Sequence, residues 1–438
     1  MEEDHVASHE SVASLIEAGD PVTAVRLAIP MLEAAPEDLV VWQQVLDALV
    51  AMGAASDTLV FWPTLAEAWA ESRNLPMAIA ATIEFKRIGG NPELVLGGLA
   101  KRYAAGSPRL TQADLPPPPI PTSRGVPSIE EKNPSKLRKL AKEACFLAIG
   151  AAESLAARGD QLPAMPLWSR LSPEAFADLV SDMEMVKAKE GAVVIRQGDP
   201  GDSIFWLAKG SVVIRRKEAS GEEKELARLG PGSFIGEMSI VSSAPRVASA
   251  VALKQTILLK VKRESLDKLI KRHPAMGDVL VAFCQTRMLE NLIHSSPVLR
   301  VVPAKKRMDL LSMFQTRKAK KGELIIGQGK EVSGLFLVVN GQVTVYREDK
   351  GERCVISNLE TGHIFGEISL LLQRTANASV RASEKTLLLY LPKEKFLEAV
   401  RAYPEMFASV YEIAVERERQ TASILGQEAE DADDLVLI

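Results

Sequence analysis

The chain has 438 residues, 47% hydrophobic and 25% charged, enough for two to four domains with ordinary globular cores. No apolar run of about eighteen residues free of charge occurs, so no membrane span is expected, and the start Met1-Glu2-Glu3-Asp4-His5 lacks the basic-then-apolar pattern of a secretory signal. A net charge of −4 implies no general nucleic-acid field, and three widely spaced cysteines (Cys145, Cys284, Cys354) suit reduced thiols in a cytoplasmic protein, with no disulfide framework or metal site expected.

Residues 8–106 read as helices throughout. Val12, Leu15 and Ile16 share one helical face, and Gly19-Asp20-Pro21 ends that helix and starts the next. Ala24, Leu27, Ala28, Met31 and Leu32 carry the pattern to Pro36, and Leu39, Trp42, Val45, Leu46 and Leu49 mark a third helix. A similar unit follows: Leu65, Ala68 and Trp69 lead to Asn74-Leu75-Pro76, then Ala78, Ile79, Ile83 and Phe85 to Asn91-Pro92. Asp20 and Asn74 lie 54 positions apart. The turns Glu17–Val25 (EAGDPVTAV) and Glu71–Ile79 (ESRNLPMAI) resemble those of tetratricopeptide-like helical hairpins, without the period of about 34 residues that such repeats keep. This region is acidic, with six Lys/Arg against fifteen Asp/Glu over residues 1–106. It is either a docking surface for a protein partner or a bundle packed on the rest of the chain.

Residues 107–134 form a linker in which Leu115-Pro-Pro-Pro-Pro-Ile-Pro121 is extended polyproline II. Asn133-Pro134 opens a connecting helix over 135–158. Lys136, Arg138, Lys139 and Lys142 crowd its first half, as a partner-facing stripe or a solvated face.

Residues 163–292 change character. Ser172 is a helix cap in Pro166-Leu-Trp-Ser-Arg-Leu-Ser-Pro-Glu-Ala-Phe176. Short strands at 192–195, 205–207, 212–215 and 258–261, separated by Gly-rich turns, argue for an antiparallel barrel or jelly roll, followed by helices near 265–272 and 276–292. Within this stretch Gly232 to Ala250 places a carboxylate, Glu237, and a guanidinium, Arg246, nine positions apart. Gly236 allows close backbone approach, and Ala244, Ala248 and Ala250 leave room. The planar fork of Arg246 suits a phosphate, and Glu237 can accept from sugar hydroxyls.

The stretch resembles the phosphate-binding cassette of cyclic-nucleotide-binding domains. These are small β-barrels of cAMP-dependent protein kinase regulatory subunits, catabolite-activator-type transcription factors and cyclic-nucleotide-gated channels. The resemblance implies that Glu237 holds the ribose 2′-hydroxyl and Arg246 the exocyclic phosphate, with Gly236, Met238, Ser239, Val247 and Ala248 around the ligand. A hydroxyl residue after the Arg favours cGMP in that family, so Val247 makes cAMP the expected ligand and cGMP the second. Ser123-Arg-Gly-Val-Pro-Ser128 in the linker bears a slight resemblance to a kinase pseudosubstrate segment, interrupted by Pro127.

Residues 296–427 repeat the plan. Gly191, Gly198 and Gly210 recur 131 positions later at Gly322, Gly329 and Gly341, and Gly236-Glu237 recurs 130 positions later at Gly366-Glu367. Gly366, Glu367, Ile368 and Ser369 would form the second site, but Ala376 falls where Arg246 sits and Arg374 is the nearest guanidinium. Losing charge-assisted phosphate bonds costs roughly 1.5–3 kcal/mol or more, so this site is expected to be empty, weak or retuned. Residues 428–438 form an acidic tail.

No phosphate loop, HExxH, CxxC or GxSxG pattern occurs, no base is paired with a nucleophile, and no DNA-reading helix pair follows the second barrel. The expected fold is therefore multidomain: N-terminal α-helical hairpins and two β-barrel (jelly-roll) domains with flanking helices. The expected protein is a cytoplasmic, non-catalytic cAMP sensor that needs no cofactor or metal and engages a protein partner through its helices. The alternatives are an interaction scaffold with non-binding barrels and a kinase regulatory subunit.

Overall fold

A computed structural model describes residues 8–113, 115, 127–157, 159–217, 223–237, 245–349 and 352–425. Most of the polyproline stretch, Ser123 to Val126 of the pseudosubstrate-like segment, Met238, Ser239 and Ala244 of the first cassette, and the acidic tail lie outside these residues.

The N-terminal region opens with α1 (His9–Glu17), α2 (Pro21–Ala34) and α3 (Leu39–Ala51). The short α4 (Ala55–Thr58) leads to α5 (Trp62–Glu71), α6 (Leu75–Arg87) and α7 (Glu93–Tyr103). The caps explain the breaks: Asp20 accepts from the Thr23 amide at 3.0 Å and Asn74 from the Met77 amide at 3.2 Å. The turn residue before each cap is left-handed, Gly19 at φ 81° and Arg73 at φ 60°. The two units thus hold four helices (α1–α4) and three (α5–α7), not the two of a tetratricopeptide hairpin. Helix α8 (Pro134–Ala156), capped by Asn133, is no mere connector. Its Leu137, Ala141, Ala144, Cys145 and Ala148 are buried in the same core, against α2 and α5. Half of its basic stripe is tied to the bundle, Arg138 donating to the Met52 carbonyl at 2.5 Å and Lys142 lying 3.4 Å from Asp57, while Lys136 and Lys139 are exposed. A two-residue ladder, β1 (Leu110–Thr111) with β2 (Leu162–Pro163), brackets the linker.

After α9 (Pro173–Ser181) come eight strands: β3 (Glu184–Ala188), β4 (Val193–Ile195), β5 (Ser203–Lys209), β6 (Val212–Lys217), β7 (Glu223–Leu229), β8 (Phe234–Ile235), β9 (Ser249–Ala252) and β10 (Thr256–Lys262). They form two antiparallel sheets, β3-β10-β5-β8 and β4-β9-β6-β7. Of the barrel or jelly roll expected, this is the jelly-roll form: the sheets make an open sandwich, and no ladder joins them among the described residues. The chain passes between sheets at Gly210 (φ 92°), where a Cβ would strike the Gln255 carbonyl and Thr256.

Strand β5 is apolar on both faces. Phe205 and Leu207 fill the space between the sheets, while Ile204, Trp206 and Ala208 face the core that runs on into the N-terminal helices. A strand covered on both sides reads as a continuous apolar run, which is why alternation fails there. The helical region is thus packed on the first sandwich through α6, with Lys187 of β3 3.8 Å from Asp47 of α3. Burial raises the pKa of Asp47 and lowers that of Lys209, each opposed by opposite charges in the seam.

Helices α10 (Arg263–Arg272) and α11 (Pro274–Ser295) follow. Helix α11 spans two cores: Met276, Leu280, Phe283 and Cys284 belong to the first, and Met288 and Leu292 to the second. Next are α12 (Pro297–Arg300) and α13 (Ala304–Ser312). The second sandwich comprises β11 (Gln315–Ala319), β12 (Leu324–Ile326), β13 (Gly334–Asn340), β14 (Gln342–Asp349), β15 (Glu352–Glu360), β16 (Ile364–Phe365), β17 (Ser379–Ala382) and β18 (Thr386–Pro392). Its sheets, β11-β18-β13-β16 and β12-β17-β14-β15, repeat the first topology strand for strand. Helix α14 (Glu367–Leu371) lies within its cassette, and α15 (Lys393–Ala402) and α16 (Pro404–Leu425) close it. Arg216 of β6 and Glu360 of β15 form an ion pair at 2.9 Å across the sandwiches. No helix among the described residues is long and apolar enough to cross a membrane.

Candidate functional site

In the first sandwich the cassette sits between β8 and β9. Glu237 and Arg246, 4% and 6% exposed, are both buried although neither is apolar. Arg246 donates through Nη1 to the Gly236 carbonyl at 2.9 Å and through Nη2 to the Ser203 carbonyl at 2.6 Å and hydroxyl at 3.2 Å. Its amide donates to the Asp199 carbonyl, and its own carbonyl accepts from the Gly198 amide, both at 2.9 Å. The residue is therefore fixed at backbone and side chain. Gly236 is at φ 85°, and a Cβ there would run into the Arg246 guanidinium.

Two backbone carbonyls and one hydroxyl take only part of the guanidinium's five hydrogens and do not neutralise its charge. The nearby carboxylates are the exposed Asp202, 3.7 Å away, Glu237 and Asp199. Burial lowers the pKa of Arg246, while Asp202 and Glu237 oppose the shift. A guanidinium stays protonated under all ordinary conditions, so the site is a partly desolvated cation held in one orientation beside a carboxylate.

Helix α11 lies over this site. Phe283 packs edge-on against Phe234 of β8 with ring centroids 4.8 Å apart, and Phe234 in turn stacks on Trp206 of β5. Cys284 is close enough for Glu237 to add to its shift; burial first, then that charge, pushes the thiol up to about 12. It is a core thiol, as its apolar helical setting suggests.

The second cassette is built on the same backbone. The Ala376 amide donates to the Lys330 carbonyl at 2.9 Å, and the Gly329 amide to the Ala376 carbonyl at 2.8 Å. These are the bonds made by Arg246, so Ala376 occupies the Arg slot with no shift in register. Arg374 turns away to Glu418 of α16 at 2.6 Å. The guanidinium's space beside Gly366 is taken by Val332 and Ile326, which lie 3.1 and 3.5 Å from where a Gly366 Cβ would be. Val332 stands 131 positions after Gly201, and Gly334 takes the place of Ser203. Glu367, 2% exposed, keeps the Glu237 position but pairs with Arg417 of α16 at 2.7 Å. A cavity of about 290 Å³ lies between this cassette and α16.

Of the residues singled out in the sequence, the structure brings together Gly236, Glu237 and Arg246 in the first sandwich, with Val247 and Ala248 leading into β9. Met238 and Ser239 lie outside the described residues. In the second, Gly366, Glu367, Ile368, Ser369 and Ala376 all line the cavity. Sequence reasoning missed Ser203, Asp202 and Arg417. Arg417 had a signal: it continues the buried stripe Met406, Val410, Ala414 at helical spacing, where a cation is out of place. Ser203 and Asp202 had none, because they sit more than 40 positions before Arg246.

A family model described as "cyclic nucleotide-binding domain" matches residues 185–273 and 316–403. The chain is 28% identical over 240 residues to mouse (Mus musculus) cGMP-dependent protein kinase 2, covering 54% of this chain and 30% of that protein. It is 27% identical over 232 residues to the cAMP-dependent protein kinase regulatory subunit of Blastocladiella emersonii, covering 52% and 55%. It thus spans under a third of the kinase and about half of the regulatory subunit. Among solved structures, the regulatory domain of Toxoplasma gondii PKA with cAMP aligns at 19% identity over 57% of this chain and 91% of that one, with a TM-score of 0.27. Two stretches of the chain, residues 185–273 and 316–403, thus match the cyclic nucleotide-binding domain family in tandem, behind an N-terminal helical region.

Proposed function

We propose that the protein is a non-catalytic cAMP-responsive regulator whose first sandwich is the cyclic-nucleotide site. The observation that carries this is the buried, backbone-anchored Arg246 beside the equally buried Glu237. The guanidinium is oriented before any ligand arrives, so a cyclic phosphate would meet a preorganised donor and little ordering would be lost on binding. Glu237 would take the ribose hydroxyls. The relatives are named for cAMP and for cGMP; Val247, with no hydroxyl to offer, favours cAMP.

The output would be a population shift. Strand β5 meets Arg246 at its first residue, Ser203, and the helical region at its far end, Lys209. Helix α11 lies over the cassette and enters the second core. Tightening around a phosphate would be felt at both seams, changing how the acidic helical region is presented to a partner. The test is equilibrium binding of cAMP and cGMP to the full chain and to its Glu237→Ala variant. Saturable cAMP binding, weaker for cGMP and weakened at least about tenfold by the substitution, supports the proposal. No saturable binding would leave the scaffold reading in its place.

A further inference from the structure

We infer that the second cavity is a site for an uncharged ligand that joins hydroxyls to an apolar ring, of the nucleoside class, rather than a degraded phosphate site. Three features on its wall carry this. First, the place of the phosphate-binding cation is filled by hydrocarbon: Ala376 holds the Arg slot and Val332 and Ile326 occupy the guanidinium's space. An anion there would meet apolar groups and lose its hydration without recompense.

Second, the charges are already matched. The carboxylates and the guanidinium on the wall, Glu367, Glu418 and Arg417, are in ion pairs, Glu367 with Arg417 and Glu418 with Arg374, and the His363 imidazole, also on the wall, accepts through Nδ1 from the Glu360 amide at 3.0 Å. Arg417 is further committed to the Ile364 carbonyl at 2.6 Å. An anionic ligand would have to break a pair, and a cation would find no free carboxylate charge.

Third, one acceptor is left over. Glu367 accepts from Arg417 through Oε1, while Oε2 takes no hydrogen bond among the described residues, in a side chain 2% exposed that faces the cavity. A carboxylate oxygen open to the cavity can accept a further hydrogen bond, and a hydroxyl donates one without adding charge. Ser369 and Asn377 add neutral polar groups, and Phe365 and Val380 an apolar wall. The volume of about 290 Å³ is at the small end of organic-ligand sites.

This goes beyond the first site and does not depend on it. The test is calorimetric titration of the full chain with adenosine, guanosine and cAMP, repeated on Glu237→Ala, Glu367→Ala and Ala378→Leu. Ala378→Leu narrows the cavity wall without touching either ion pair, so it reads the site even where loss of Glu367 weakens the fold. At least one nucleoside is expected to bind the parent and Glu237→Ala chains alike, and to lose at least about tenfold affinity in both second-domain variants. Absence of nucleoside heat in the parent chain, or heat unaffected by Ala378→Leu, would overturn the inference. Absence of cAMP binding to the parent chain, with nucleoside binding present, would sink the first-site proposal and leave this one standing.

Discussion

The two cassettes share a backbone and differ in how they handle charge. In the first, where Gly201 stands at the position of Val332, a guanidinium is held by Ser203 and Gly236 beside an acid. In the second, Val332 and Ala376 fill its place with carbon, and the surviving acid is neutralised from a distant helix by Arg417. Position 130 before Arg417 is also an arginine, Arg287, but it pairs with Glu290 on its own helix at 2.8 Å. The same sandwich thus supports an anion-seeking site or a charge-balanced one, and the choice rests on a handful of side chains rather than on the fold.

The largest expected effect comes from breaking that balance. Arg417→Ala should leave Glu367 buried and unpaired, costing about 3 kcal/mol of second-domain stability, at the low end of the range for a broken buried pair because Arg417 is 21% exposed. Chemical denaturation followed by a probe in the second domain would show it. Arg287→Ala, at the matching position of the first domain, should change stability by less than about 0.5 kcal/mol. Equal losses would refute the contrast. Next, restoring the first pattern in the second site with Val332→Gly and Ala376→Arg together should reopen the guanidinium slot. It should add charged hydrogen bonds worth roughly 1.5–3 kcal/mol, or tenfold to hundredfold tighter cAMP binding there. Unchanged binding at the second site would show that something other than the missing guanidinium excludes the phosphate.

The smallest effect concerns pH. Asp178 of α9 is held below its ordinary pKa by hydrogen bonds from His273 and Arg272, pinning α9 to the α10–α11 junction. Tyr403 stands where His273 would be in the second domain. A carboxylate with a depressed folded pKa stabilises above its unfolded value near 3.8 and loses that contribution as pH falls through the folded one. Asp178→Asn should therefore cost under about 1 kcal/mol at neutral pH, given its partial exposure, and nothing once the acid is protonated. Thermal melts from pH 7 to 2.5 of parent and variant would converge at the acid end; a constant gap would rule this out.

Local chemistry was legible in the sequence wherever it repeats. The caps Asp20 and Asn74, the glycine ladder and the Ala376-for-Arg246 exchange all declare themselves within a few residues or through the offset of 131 residues before the cassette and 130 within it. What joins distant segments was not. Val332 plugging a slot opened by Ala376, and α8 folding into the N-terminal bundle, depend on contacts across tens or hundreds of positions. Strand lengths and turns indicate a barrel or jelly roll without deciding between them, because whether two ladders join is set by edge pairing that no single strand encodes.

The central claim is that one sandwich is built for a cyclic phosphate and its twin is not. The stoichiometry of cAMP on the full chain, measured by calorimetry at saturation, tests it most directly. The account predicts one cAMP per chain, with Arg246→Ala abolishing the signal over the same concentration range. Two equivalents in the parent chain, or one that survives loss of Arg246, would contradict it.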